Sequence, residues 1–79
     1  MALAVAQTLD LKGLSCPLPI LRTAKAMLQM EPGERVEVLA TDPGSVPDFN
    51  AWCTKTGNPL VEATQADGVF RFLVEKARR

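Results

Sequence analysis

The chain has no histidine, only two cysteines (Cys16 and Cys53), and no excess of charge of either sign. Without histidine, a Cys-His nucleophilic pair within one chain is excluded, and two thiols are too few for the four Cys or His ligands of a structural zinc. Nine basic residues balance nine acidic ones, so nothing electrostatic points to nucleic acid or an anionic membrane as a direct ligand. Also missing is any apolar run near the roughly 20 residues of a membrane-spanning helix. Residues 1–7 are apolar but lack the charged start and long apolar core of a signal peptide, so a cytoplasmic protein is expected. In that setting a Cys16–Cys53 disulfide is not expected. There is no glycine-rich phosphate loop and no aromatic-basic stacking platform, and Pro19 stands where a Cys-x-x-Cys redox motif needs its second thiol. No metal and no bound cofactor are expected.

What remains is a chain of 79 residues, 47% hydrophobic and 23% charged, which makes one domain (1–79) with a core near the minimum workable size. Arg78 and Arg79 read as a solubilising tail. The hydrophobic period switches several times. Residues 6–11 alternate, with Leu9 and Leu11 on one face, as in a short strand. Residues 12–15 make a turn containing Gly13. From 17 to 30 the period is helical, with Pro17, Ile20, Leu21, Ala24, Met27 and Leu28 on one face and Arg22, Lys25 and Gln29 off it. Residues 31–33, Glu-Pro-Gly, stop that helix.

Residues 34–41 alternate again, with Val36, Val38 and Ala40 toward the core. After a turn at 42–45, Ser45 and Asp48 resemble a capping box that starts a second helix. Its apolar stripe is Val46, Phe49, Trp52 and Cys53, and Gly57 and Pro59 end it. Strands at 60–66 and 69–76 flank Asp67-Gly68, a two-residue hairpin signal, and Phe70, Phe72 and Val74 share one face. The order β-α-β-α-β-β predicts an α+β fold: a two-layer α/β sandwich with a four-stranded mixed sheet and both helices on one face. The other face would carry Leu39, Val69 and Leu73 among Arg35, Glu37, Arg71 and Glu75, open to solvent or a partner.

The chemistry concentrates at "LSCPLP", residues 14–19. With Cys16 as N-cap, Pro17 and Pro19 occupy the first and third helical positions, where a missing N–H costs nothing. The N–H of Leu18 is then the first-turn donor left to face the sulfur, and the prolines preorganise the turn. The positive end of the helix dipole is expected to lower the thiol pKa and favour an anionic sulfur, thiolate or persulfide. The plain alternative is a helix cap, for which cysteine is a poorer choice than Ser, Asp or Asn. Cys53, on an apolar stripe, reads as a small buried hydrophobe. Asp10, Asp42 and Asp48 read as ordinary turn, cap or strand-end residues.

"LDLKGLSCPLPILRTAKAM", "PGERVEVLATDPGSVPDFNAWC" and "GNPLVEATQADGVFRFLVEK" together resemble the TusA/SirA-like family of small sulfur carriers, nearly end to end. The resemblance implies a sheet-and-helix sandwich similar to the C-terminal domain of translation initiation factor three. It implies that Cys16 of the Cys-Pro-x-Pro motif receives sulfane sulfur as a persulfide, supported by Gly13, Pro17, Leu18 and Pro19. It further implies a donor, a cysteine desulfurase or rhodanese-type protein, and a downstream acceptor protein in tRNA thiolation, molybdenum cofactor synthesis or sulfur oxidation. Such a carrier is closer to a carried substrate than to a self-sufficient enzyme. Leu18, Asn58 and Lys12 stand where relatives often have an acidic residue, histidine and arginine, so the surface read by partners is expected to differ. Lys12, Arg35, Asp42 and Arg71 are the candidate partner-facing residues on a chain expected to be a monomer. The alternative is a non-catalytic regulatory or protein-interaction module that uses the open sheet face.

Overall fold

A computed structural model of the chain describes residues 5–77. Its elements are β1 (Val5–Asp10), α1 (Leu18–Met27), β2 (Arg35–Ala40), α2 (Ser45–Thr56), β3 (Leu60–Ala66) and β4 (Val69–Glu75), in the order read from the sequence. They form one sheet with strand order β1-β2-β4-β3, in which β1 and β2 are parallel and the β2–β4 and β4–β3 pairs antiparallel. The β3–β4 turn uses Asp67 (φ 52°) and Gly68 (φ 80°), the two left-handed residues a type I′ hairpin needs. Residues 1–4 and the Arg78-Arg79 tail lie outside the described residues.

Alternation in β2 and β4 builds the core. Val36, Val38 and Ala40 are fully buried, opposite Val74, Phe72 and Phe70 in the antiparallel register. Both helices close over this face, α1 through Met27 and α2 through Phe49 and Cys53. Phe49 stacks on Phe72 at 4.4 Å between ring centroids and meets the edge of Trp52 at 6.1 Å. No described helix is long and apolar enough to cross a membrane.

Helix α1 departs from expectation in its phase. Its buried residues are Pro19, Thr23 and Met27, while Leu21 and Leu28 are 57% and 75% exposed. The core therefore takes a stripe rotated by about one residue, or roughly 100° in a helix. Pro19 and Thr23 are compact enough to sit against the sheet, and the bulkier leucines are left outside with Leu18 (38% exposed). The helix also ends early, at Met27. Residues 28–30 continue as tighter turns, and the Met27 carbonyl accepts both the Met30 N–H at 3.1 Å and the Lys76 ammonium at 2.6 Å.

The opposite face of the sheet is laced by ions. Arg71 donates to Glu37 and, at 2.7 Å, to Glu62; Arg35 donates to Glu75 at 3.1 Å; Thr8 donates to Glu37 at 2.9 Å. Leu73, expected on an open surface, is only 8% exposed, because Glu37 and Glu62 flank it in the register and converge on Arg71.

Candidate functional site

Because β1 and β2 are parallel neighbours, the chain leaves both at the same sheet end, and the starts of α1 and α2 meet there. The β1–α1 loop is pinned to β2 and the turn after it. The N–H of Leu11 donates to the Leu39 carbonyl at 2.8 Å, and that of Gly13 to the Thr41 hydroxyl at 2.9 Å. Gly13 has φ +88°, so the loop needs glycine there. The N–H of Cys16 donates to Asp42 Oδ2 at 2.8 Å, across from the β2–α2 turn. An added Cβ on Gly44 would lie 3.3 Å from that carboxylate oxygen and 3.6 Å from the Cys16 Cβ, which shows how closely the two loops pack.

Cys16 is exposed and is a free thiol, as is the buried Cys53. It stands one residue earlier than the capping scheme requires. The N-cap of α1 is Pro17, the Cys16–Pro17 peptide is cis, and Leu18 and Pro19 are the first two helical residues. The Leu18 N–H, expected to face the sulfur, instead donates to the Ser15 carbonyl at 2.9 Å, closing the turn that carries the thiol.

The sulfur itself turns to the other helix. Cys16 Sγ lies 2.6 Å from Asp48 Oδ2, donating its proton to a carboxylate in the first turn of α2. The expected lowering of the thiol pKa is therefore overturned. The hydrogen bond to Asp48 holds the thiol above its ordinary value, with partial desolvation and the negative charges of Asp48 and Asp42 acting in the same direction. A carboxylate that accepts the proton stabilises the neutral thiol, and two nearby anions disfavour the thiolate. The capping box fails for the same reason. The N-cap of α2 is Gly44, with no side-chain cap; Asp48 is committed to Cys16, and Ser45 Oγ is buried without a partner among the described residues. Asp42, a candidate partner-facing residue in the sequence, is turned inward to hold the Cys16 backbone, and Asp48, which the sequence reads as an ordinary cap residue, contacts the thiol itself.

The remaining candidates are distributed around this point. Pro17 and Leu18, next to Cys16 in the chain, are exposed, and Pro19 is buried. Lys12 is exposed, 3.8 Å from Asp10. Arg35 and Arg71 lie on the far sheet face, already paired with Glu75 and with Glu37 and Glu62. Asn58 is structural: its Oδ1 accepts the N–H of Ala77 at 2.8 Å, and its Nδ2 donates to the Thr56 hydroxyl at 3.1 Å, tying the segment after β4 to the end of α2. Burial pushes the Cys53 thiol up to about 11, in keeping with its reading as a packing residue. Among the described residues, no group of three or more His, Cys, Asp or Glu side chains is placed to hold a metal ion.

A family model described as sulfurtransferase TusA matches residues 7–76. The chain is 51% identical over 71 residues to the sulfur carrier protein TusA of Allochromatium vinosum, covering 90% of this chain and 93% of that one. It is 52% identical over 69 residues to a Neisseria meningitidis serogroup A protein named as a candidate sulfur carrier, covering 87% and 93%. The crystal structure of a SirA-like protein from Desulfitobacterium hafniense superposes with a TM-score of 0.80 at 27% identity, covering 91% of this chain and 99% of that chain. With the motif, the sheet order and these matches in agreement, the chain belongs to the TusA family.

Proposed function

We propose that the protein is a sulfur carrier that accepts sulfane sulfur on Cys16 as a persulfide and passes it to an acceptor protein. The observation that carries this reading is the exposed Cys16 thiol on a pinned turn between two helix starts, in a chain of the TusA family. Loading needs no redox partner. The Cys16 sulfur bonds to the outer sulfur of a donor persulfide, the donor's S–S bond breaks, and the donor cysteine leaves as a thiolate that takes up a proton. Delivery repeats the exchange with Cys16 as the leaving group. The donor is a cysteine desulfurase or a rhodanese-type protein. The acceptor serves tRNA thiolation, molybdenum cofactor synthesis or sulfur oxidation. The carrier works as a monomer in a reducing cytoplasm, without binding nucleic acid or membrane.

A surface for partners adjoins the thiol. Leu18, Leu21 and Leu28 are exposed along α1, with the cationic Arg22 and Lys25 among them and unpaired among the described residues. That ridge suits a donor or acceptor site with an apolar floor and an acidic rim. The regulatory alternative draws less support, because Arg35 and Arg71 on the far sheet face already have carboxylate partners.

The test is incubation with a cysteine desulfurase and cysteine, followed by intact mass. Wild type gains the mass of one sulfur, removable by reductant, and Cys16→Ser gains none. Labelling of both proteins, or of neither with a desulfurase and then a rhodanese-type donor, overturns the assignment.

A further inference from the structure

The carboxylate on the Cys16 thiol opposes the chemistry that a sulfur carrier needs, since the attacking species is the thiolate. Asp48 Oδ2, from α2, receives the thiol proton at 2.6 Å. Asp42 Oδ2, from the β2–α2 turn, receives the Cys16 N–H at 2.8 Å, so the backbone is held in the position that keeps the sulfur facing Asp48. These two are the charged groups acting on the sulfur, and α1 brings no acidic residue to its own first turn. Among the described residues no lysine or arginine offsets them: Arg22 and Lys25 lie further along α1 and do not act on the sulfur, Lys12 is engaged by Asp10, and Arg35 and Arg71 are bound on the far side of the sheet. The free carrier thus holds its nucleophile protonated under two anions.

We propose that Asp48 is a latch on Cys16, and that the thiol is released for sulfur transfer by a partner that brings a cationic side chain against the Asp48 carboxylate. This rests on the carrier reading and adds to it the chemistry of the partner's contact group. When the cation neutralises Asp48, the thiol proton passes to water. The Cys16 thiolate then bonds to the donor's outer sulfur, the donor S–S bond breaks, and the departing donor thiolate takes a proton from water, so that atoms, electrons and protons balance. With no partner docked, the latch keeps the thiol slow toward stray electrophiles and oxidants, which attack thiolates. It also places two anions beside a loaded persulfide anion, so the load is destabilised on the carrier and favoured on an acceptor. Asp48 thereby selects partners through charge at the sulfur itself.

The experiment uses reagents that require no sulfur loading, so its failure is separate from failure of the carrier reading. Cys16 in the full chain is modified with a cationic (trimethylammonium) and an anionic (sulfonate) methanethiosulfonate and with neutral iodoacetamide across pH, the site being assigned by peptide mass. Relative to a small free thiol, whose own anion already favours the cationic reagent, wild type should show the larger cationic-to-anionic rate ratio, and Asp48→Asn should lose most of that excess. The iodoacetamide profile of Asp48→Asn should move to lower pH. For each unit that it moves, the rate at neutral pH rises roughly threefold, a tenfold gain in thiolate offset by the weaker nucleophile. Asp48→Glu, which keeps the charge, should retain the preference. A cationic-to-anionic ratio in wild type at or below that of the free thiol, or an Asp48→Asn profile unmoved or shifted upward, overturns the latch.

Discussion

Replacing Phe49 by alanine tests the link between core packing and the site. Phe49 is fully buried, its ring stacked on Phe72 and edge-on to Trp52, and it is the residue after Asp48. Removing a buried phenylalanine side chain costs about 3–5 kcal/mol, transfer and cavity together. At about 0.05–0.15 kcal/mol per residue, a domain of 79 residues has roughly 4–12 kcal/mol in all. Phe49→Ala should therefore remove between a quarter and all of the stability. Urea unfolding read by linear extrapolation reports it as a lower midpoint with little change in slope. Phe49→Leu, which keeps most of the bulk, should lose less. Where Phe49→Ala is still folded, α2 is less firmly seated, and iodoacetamide modification of Cys16 should drift toward that of Asp48→Asn. A loss under about 1 kcal/mol, or a large loss with Cys16 reactivity unchanged, would refute this account of how the core sets the thiol–carboxylate contact.

Two further outcomes are expected. Glu37 is held below its ordinary value of 4.5, first by the hydrogen bond from Arg71 and then by that from Thr8. A depressed folded-state value gives stability that is complete above 4.5 and is lost as pH falls through the folded value, so the gap between wild type and Glu37→Gln should narrow on acidification below that point. The pair is partly exposed and worth about 1 kcal/mol or less near neutrality, and urea midpoints whose gap holds constant into acid would contradict the assignment. Thr23 is fully buried and its hydroxyl has no partner among the described residues, so Thr23→Val, which keeps the β-branch, should stabilise by about 1 kcal/mol. Thermal unfolding should then rise by roughly 4–8 °C, and a fall would show that the hydroxyl is satisfied.

Where local rules decide structure, the sequence was legible. Asp67-Gly68 demands its hairpin, Gly57 at φ +82° ends α2, and alternation in 34–41 and 69–76 names the core strands. It failed where distant residues compete. The helical period of 17–30 marked Leu21 and Leu28 as core, but the space beneath α1 takes Pro19 and Thr23. The capping scheme placed Cys16 by local logic, while a turn closed on Ser15 and an anchor from Asp42 move it one residue ahead of the cap. Capping logic assigns Asp48 to its own helix, whereas a parallel β1–β2 pair brings both helix starts to one sheet end and Asp48 to the thiol. That consequence of the topology was the available signal that Asp42 and Asp48 would meet the thiol.

The central claim is that Cys16, and no other atom of the chain, carries the sulfur. After loading by a cysteine desulfurase, rapid alkylation and digestion should place the added sulfur on the peptide containing Cys16, with the Cys53 peptide unmodified in the folded protein and Asp48→Asn still loaded at Cys16. Sulfur recovered on Cys53, or on both cysteines equally, would contradict the account.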